Sequence, residues 1–262
     1  RSWIFPESGS VDPFRGLQPE ESWNLGLNLL SKFTLGYRDA SFNLDGYRVD
    51  FSNRVFVDLD TPGEATIRQG RSQSRSAQAE FWWDWTKRLD ITLAYRWVDA
   101  SSDYDPDGFD GYGGYRKDPF VAQHRGFATV AYGSRPDAKG RQWRADVTFQ
   151  VTGPQRLPWT FENDLVDPRY VRPSEAPTFV TGNVQISRDF SEGQQIYVGV
   201  ENVTDYRQAE PIVGIDYDTA PGEVQTVSGG PIGDDALFDA AIVYAPIFGR
   251  NVYAGVRWAF GR

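Results

Sequence analysis

The strongest constraint on the fold is a two-residue alternation of apolar and polar side chains, which recurs in nine stretches of the chain. In the last of them, Asn251 to Phe260, every even position is apolar, and most odd positions are small or polar. A period of two is typical of a β-strand that is wetted on one face only. No apolar run approaches the ~20 residues that a transmembrane helix needs, so any crossing of a membrane has to use strands.

The alternation predicts nine strands joined by connections that are alternately short and long. In the second strand we expect a β-bulge near Gly46, which lets Tyr47, Val49 and Phe51 take over the apolar face. Within the last long segment, Asp239 to Phe248 could also be extended. The predicted strands are Trp23 to Leu29, Ala40 to Phe51, Gln78 to Trp85, Leu89 to Trp97, His124 to Tyr132, Trp143 to Val151, Thr178 to Phe190, Ile196 to Val200 and Asn251 to Phe260.

The loop pattern favours an antiparallel transmembrane β-barrel over a soluble β-sandwich, although a sandwich produces the same alternation. The long segments begin near Asp58, Ser101, Thr152 and Asp205, and all of them fall at the same end of the strands. The first of them is the polar stretch from Asp58 to Ser74, which we expect to be a loop. Outer-membrane barrels combine short periplasmic turns with long extracellular loops, and their strands have ~9–11 residues. We therefore predict an all-β chain in which residues 1–21 form an extracellular loop and residues 22–262 form part of the barrel.

Aromatic and charged residues follow the same division between a lipid face and a lumen face. Aromatic rings near strand ends are expected to form interfacial girdles: Trp83, Trp85, Tyr95, Trp97, Tyr132, Trp143, Trp258 and Phe260. Charged residues on the opposite face are expected to line the lumen, where they pair with one another and contact protein that fills the bore, with solute contact as a secondary role: Glu80, Asp84, Asp90, Arg96, Arg144, Asp146 and Arg257.

Composition excludes several classes of function. The chain has no cysteine, which removes disulfides and thiolate chemistry, and His124 is its only histidine, which argues against catalytic zinc. The net charge of -9 argues against nucleic acid as a partner. We expect no cofactor.

Several segments together resemble the C-terminal portion of a TonB-dependent outer-membrane receptor. Each segment is loose alone, but their order and spacing cover nearly the whole chain. They are LQPEESWNLGL (Leu17 to Leu27), YRVDFSNRVFVD (Tyr47 to Asp58), HRGFATVAY (His124 to Tyr132), YVGVENVTDYRQAEPI (Tyr197 to Ile212) and PIFGRNVYAGVRWAF (Pro246 to Phe260).

The resemblance implies a barrel of roughly twenty-two strands in the outer membrane of a Gram-negative cell, filled by an N-terminal plug. Such receptors import scarce nutrients, for example ferric siderophores, with energy from a TonB-type transducer. The expected partners are outer-membrane lipid, the transducer through an N-terminal region outside this sequence, and a small-molecule or metal-chelate ligand. Nine strands is an odd number, so we expect a portion of a larger barrel. Gly261 and Arg262, after the terminal aromatic, depart from the family pattern.

The segment from Ser101 to Gln123 holds the candidate ligand-binding residues Tyr104, Tyr112, Tyr115 and Arg116. Gly, Tyr and Asp loops make adaptable binding surfaces, but ordinary solvated loops have the same composition.

Two further hypotheses concern metal binding and catalysis. The aspartates 103, 105, 107 and 110 partly follow a calcium loop, whose twelfth position is here Gly114 instead of glutamate. His124 could pair with an acid in the barrel mouth, as in omptin-like barrel enzymes, although one ordinary hydrogen bond is the commoner role of such a histidine. A passive porin or an adhesin is the other alternative to an importer.

Overall fold

The chain folds into β-strands throughout the part that the computed structural model describes, namely residues 16–60, 66–104, 114–158, 174–191, 193–209, 211, 213–215, 237–239 and 242–259. Within these ranges no helix is long and apolar enough to cross a membrane. The strands are β1 (Glu21–Leu35), β2 (Arg38–Asp58), β3 (Thr66–Thr86), β4 (Leu89–Asp103), β5 (Tyr115–Lys117), β6 (His124–Gly133), β7 (Gln142–Thr152), β8 (Gln155–Arg156), β9 (Glu175–Ala176), β10 (Phe179–Ser191), β11 (Gln194–Glu201), β12 (Val213–Ile215), β13 (Leu237–Asp239) and β14 (Asn251–Trp258).

Nine of these strands form one antiparallel sheet in chain order: β1, β2, β3, β4, β6, β7, β10, β11 and β14. They coincide with the nine predicted strands, and the predicted fold class is confirmed. The short β5 pairs with the end of β4, while β8 pairs with β9 and β12 with β13. Among the described strands, β1 pairs only with β2 and β14 only with β11. The sheet is therefore a partial barrel with two open edges.

The short connections all lie at one end of the sheet. The first joins β1 to β2 through Gly36 and Tyr37, whose φ angles are 59° and 62°. Positive φ at both central residues is the requirement of a type I′ hairpin turn. The longer link from β6 to β7 is braced by Asp137, which accepts a 2.6 Å hydrogen bond from Arg141 Nε. Hydrogen bonds from the backbone N–H and side chain of Arg141 lower the pKa of the Asp137 carboxyl.

Strand register divides the sheet into an apolar zone and a polar zone along its outer face, which we define as the face that carries Trp83 and Leu93. Leu27, Gly46, Ala77 and Trp97 form one cross-strand row of this face. The next row toward the long loops contains Arg48, Arg75 and Asp99. Because exposed charge is costly against lipid, the outer edge of the hydrocarbon layer falls between these two rows.

The outer face below that edge is apolar and exposed. Leu27 is 77% and Val256 67% exposed, and exposed tryptophans flank the band, such as Trp85 and Trp258. The described residues contain few buried apolar side chains, and most belong to the loop end: Ala40, Phe56, Tyr104, Ala122, Leu157, Ala176, Phe179 and Ile242. The tryptophans and leucines of the strands thus face outward, as a membrane barrel requires. Phe260 lies outside the described residues.

The expected bulge near Gly46 is wrong. Pairing of β1 with β2 is continuous from Leu35↔Arg38 to Ser22↔Phe51, and β2 also pairs with β3 without a shift over this stretch. The inner face therefore carries Tyr47, Val49 and Phe51, whereas Leu44 of the same strand lies on the outer face. The apolar residues change face because the strand has left the membrane, so that water instead of lipid lies on its outer side.

Two expected irregular or extended segments also differ from the structure. The polar stretch from Asp58 to Ser74 was expected as a loop, but β2 continues to Asp58 and β3 begins at Thr66. Outside the membrane a strand needs no apolar face, so a polar sequence does not show where the strand ends. Of the described residues between Asp239 and Phe248, only Asp239 is in a strand, and residues 242–248 are not extended in any sheet.

The charged residues expected in the lumen do lie on the inner face. Asp84 is opposite Asp90, which is in register with Ala131 and, through it, with Asp146. Their ion-pair partners differ from the expected mutual pairs. Arg144 Nε is 2.8 Å from Asp189 Oδ2, and Arg38 Nη1 is 3.7 Å from Asp84 Oδ2.

Candidate functional site

A buried ion cluster is located on the inner side of the extracellular end, above the membrane zone. Asp60, just after β2, accepts hydrogen bonds from Arg116 Nη1 at 2.9 Å and from Arg156 Nη1 at 2.8 Å. The side chains of Asp60, Arg116 and Arg156 are 7%, 17% and 12% exposed. Together with Tyr104 we call these residues the Asp60 cluster. Three connections that are distant in sequence meet here, namely those that follow β2, β4 and β7, so the cluster joins three loops of the extracellular end.

Tyr104 is the aromatic centre of the Asp60 cluster and is 2% exposed. The guanidinium of Arg116 lies 4.6 Å and that of Arg156 5.5 Å from its ring centroid, and Phe56 packs edge-on at 5.0 Å. Burial, reinforced by the negative charge of Asp118, raises the pKa of Tyr104 to about 12. The neutral phenol is therefore the form that this packing favours.

A second polar network binds the extracellular ends of β2, β3 and β4 to each other. Arg54 Nη1 donates to Asp118 Oδ2 at 2.8 Å and to Ser72 Oγ at 3.0 Å. Ser102 Oγ donates to Asp118 Oδ1 at 2.7 Å. Ser72 and Ser102 are opposite one another on the inner face and are almost fully buried. This network stabilises the strands where no lipid confines them.

An open pocket of about 350 Å³ lies on the inner wall beside these networks. Its floor is formed by inner-face residues of β6, β7 and β10, in which Arg125 is opposite Thr152 and Gln150 opposite Thr181. Phe179 and Tyr244 add aromatic walls, with ring centroids 6.2 Å apart. A guanidinium, amides, hydroxyls and aromatic rings around one concave site can bind a small polar or anionic ligand.

The wall of this pocket is the segment 242–246, which buried amides attach to the strands. Gln208, 5% exposed, donates to the Ile242 carbonyl at 3.0 Å and accepts from the Tyr244 N–H at 2.9 Å. Asn202 donates to the Tyr206 carbonyl at 2.8 Å. Asp205 accepts a 2.7 Å hydrogen bond from the Arg250 N–H, which lowers the pKa of the Asp205 carboxyl.

The structure separates the four residues predicted to contact a ligand. Tyr104 and Arg116 meet, but inside the Asp60 cluster. Tyr115 is 45% exposed and lies on the other face of β5 from Arg116. Tyr112 lies outside the described residues. Ligand contact by these four residues stays a prediction.

The pocket residues were not selected from the sequence. Arg125, Gln150 and Thr181 each follow the inner-face parity of a predicted strand, which is the only sequence signal they carry. Their convergence depends on the register between β6, β7 and β10, and on a wall residue, Tyr244, that is distant in sequence.

His124 lies on the outer face, in register with Trp97. Its Nδ1 is 2.6 Å from the hydroxyl of Tyr95, and the two rings stack with centroids 6.1 Å apart. This hydrogen bond is the commoner role expected of such a histidine. The alternative, a histidine paired with an acid in the barrel mouth, is wrong, because the side chain lies on the outer face beside Trp97 instead of on the inner wall.

The proposed calcium loop lies mostly outside the described residues. Of its aspartates only Asp103 is described, and its Oδ2 is 3.4 Å from Arg71 Nη2. Among the described residues no group of three or more His, Asp or Glu side chains could hold a metal ion. The calcium hypothesis stays a prediction.

The exposed apolar outer face and the polar inner wall define the fold as part of an outer-membrane β-barrel. The family model "TonB dependent receptor-like, beta-barrel" matches residues 5–203. The chain belongs to this family and is located in the outer membrane. No curated protein sequence matches it.

Several solved structures share this fold at low sequence identity. The copper transporter OprC matches with a TM-score of 0.57 and 12% identity, over 97% of this chain and 33% of that one. The ferripyoverdine receptor of the outer membrane of Pseudomonas aeruginosa matches with a TM-score of 0.53 and 13% identity, over 97% and 29%. This chain therefore spans about a third of the length of these receptors. At such identities the likeness shows the fold alone.

Proposed function

We propose that this chain forms part of the wall of an importer that takes up a scarce nutrient as a small chelate, such as a ferric siderophore, across the outer membrane. The observation that carries the proposal is the inner-wall pocket with Arg125, Phe179 and Tyr244 at the extracellular end. A guanidinium beside aromatic rings suits anionic, aromatic-rich chelates. Copper and ferric-siderophore receptors share the fold, which supports a metal-chelate ligand.

Energy for import would come from a TonB-type transducer that contacts a region outside this chain. We propose that the extracellular loops make the first ligand contacts, with Tyr112, Tyr115 and the segment 1–21 among them. The Asp60 cluster would hold these loops in position, and Tyr104 and Arg116 would contribute through that packing. No bond is made or broken in this function, in keeping with a family that is not a class of enzymes.

The test is uptake by cells that express the full-length receptor containing this chain. The probes are one catecholate and one hydroxamate siderophore loaded with radioactive iron. We expect saturable uptake of at least one probe that stops when the transducer is deleted. Uptake that is unsaturable and independent of the transducer would identify a passive porin instead, and surface attachment without uptake would indicate an adhesin.

Arg125→Gln tests the pocket itself. A charge-assisted hydrogen bond to the ligand contributes about 1.5–3 kcal/mol, so we expect ligand affinity to fall roughly 10- to 100-fold. The matched control is Arg48→Gln, which removes a cation from the outer face, where Arg48 is bound only to Asp50 in the described contacts. Equal affinities of the two variants would assign the ligand to another part of the receptor.

A further inference from the structure

A basic groove lies at the short-turn end of the sheet, far from the pocket. It has a volume of about 550 Å³ and is lined by Arg38, Thr86, Lys87, Arg88, Tyr132, Arg135 and Pro136. The residues come from the start of β2, the end of β3 with the β3–β4 turn, the end of β6 and the β6–β7 link. Four of its seven lining residues are cations, in a chain whose net charge is -9. Such a concentration of positive charge marks a site for an anion.

Three of these cations have no carboxylate within ion-pair distance in the described part of the chain. Asp84 neutralises Arg38 at 3.7 Å, and both side chains are partly exposed. Lys87, Arg88 and Arg135 are exposed and form no ion pair with any described residue. The groove therefore presents about three uncompensated positive charges to its surroundings.

Strand register shows where the groove lies relative to the membrane. Tyr132 is on the outer face, opposite Leu89 and in the row of Ala145. It belongs to the lower aromatic girdle together with Trp85, and the groove cations follow in the turns just beyond this girdle. In an outer membrane the layer next to such a girdle contains the headgroups of the periplasmic leaflet.

We infer that this groove is a binding site for the phosphodiester headgroup of an anionic phospholipid of the periplasmic leaflet, such as phosphatidylglycerol. Lys87, Arg88 and Arg135 would donate to the phosphate oxygens, and Tyr132 would pack along the glycerol backbone. The acyl chains would extend over the apolar outer face next to Leu89 and Val130. A lipid fits better than a soluble phosphate because the groove opens beside the lipid-covered surface, so one molecule can satisfy the cations and cover the apolar strands.

The test measures lipid binding to the full-length receptor containing this chain, purified and delipidated in detergent. Native mass spectrometry gives the apparent Kd of the first bound phosphatidylglycerol, with phosphatidylcholine and free glycerophosphoglycerol as comparison probes. The test variant is Lys87→Gln/Arg88→Gln/Arg135→Gln. The control is Lys139→Gln, which removes a cation from the same β6–β7 link but does not line the groove.

We expect the triple variant to bind phosphatidylglycerol about 100-fold more weakly, or roughly 5-fold for each cation removed. Lys139→Gln is expected to change affinity less than 2-fold. Arg135→Gln alone, expected to lose roughly 5-fold, provides the same test if the triple variant fails to fold. Equal losses in the control and the triple variant, or equal binding of phosphatidylcholine and phosphatidylglycerol by the parent, would overturn the inference. Binding of the free headgroup as tightly as the lipid would identify a soluble-phosphate site instead.

Discussion

The hairpin β2–β3 and the pair β11–β14 have the same architecture but very different lengths. β2 and β3 contain 21 residues each, whereas β11 and β14 contain 8 each. The short pair ends at the membrane and keeps its aliphatic residues on the outer face throughout. The long hairpin continues into water, and there its apolar residues move to the inner face. The alternation of apolar and polar residues therefore reflects the surroundings of each face of the sheet. It indicates which face a side chain lies on only while those surroundings stay the same along the strand.

The two regions are also stabilised differently. The long strands are joined above the membrane by buried ion pairs and hydroxyl networks. The short strands are joined by close packing on the inner face, where Tyr197 packs on Gly255 and Tyr253 on Gly199. Lipid covers the outer face of these short strands, and they do not extend beyond the membrane, so they need no ion pairs of the kind that join the long strands.

The largest effect is expected in the long region from Asp60→Asn. The change leaves Arg116 and Arg156 close together without the carboxylate that both contact, and breaking a buried pair costs about 3–5 kcal/mol. We expect faster hydrogen exchange in residues 54–60 and 115–118 with an intact barrel. The control is Asp50→Asn at the solvent-screened Arg48 pair, where we expect little or no change in hydrogen exchange. Identical exchange in both variants would show that the Asp60 cluster does not hold the loops.

The position of the membrane edge is tested by moving one substitution across it. Leu93→Arg places a charge in the middle of the apolar zone on β4 and should cost about 2–4 kcal/mol of unfolding free energy in lipid vesicles. Gln73→Arg, on the outer face above the edge, should cost about 0–1 kcal/mol. A similar cost for both, measured by denaturant titration, would mean that the edge lies elsewhere.

Glycine packing gives a smaller contrast between the regions. Gly255→Ala in β14 puts a methyl group against the Tyr197 ring and should cost about 1–3 kcal/mol through overpacking. Gly46→Ala in β2 meets no atom within 4 Å, so it should be neutral or stabilise by about 0.5–1 kcal/mol. The unfolding midpoints of the two variants test the contrast. A loss at Gly46 equal to that at Gly255 would contradict it.

The smallest effect at neutral pH is that of the Tyr104 ionisation. Its pKa is raised to about 12 in the folded protein, so the unfolded chain loses this proton first as the pH increases. The resulting stabilisation is complete below pH ~10 and is lost between pH ~10 and ~12. We expect an absorbance component near 295 nm that titrates at about pH 12 and is absent in Tyr104→Phe. If Tyr104→Phe instead removed a component that titrates near the ordinary tyrosine pKa of ~10, Tyr104 would not be buried.

Much of the membrane zone could be predicted from the sequence. The nine strands, the inner-face position of Arg144 and Asp146, and the aromatic girdle at Trp83 follow from a two-residue period, because lipid on one side and water on the other impose it. Above the membrane this reasoning failed at Tyr47 and at the 58–74 segment. There, both sides are wet or packed against protein, and the period loses its meaning.

The candidate sites were the least predictable. Tyr104 and Arg116 were chosen as exposed loop residues, yet they are buried by contacts with Arg156 and Asp60, which are separated from them by long segments of chain. The pocket at Arg125 and the basic groove at Arg88 likewise combine residues from several strands. No local pattern encodes such a combination, since it depends on register and on loop return.

By itself, the sequence determined the architecture: strands of membrane-crossing length, one lipid face, one polar face and long loops at a single end. Those features are local, because each side chain responds to the solvent on its own side of the sheet. Only the tertiary structure decided where the membrane ends on each strand, which loop residues are buried and which cations share a groove. Those features depend on which residue of a neighbouring strand stands opposite, and a shift of one residue in register would change every one of them.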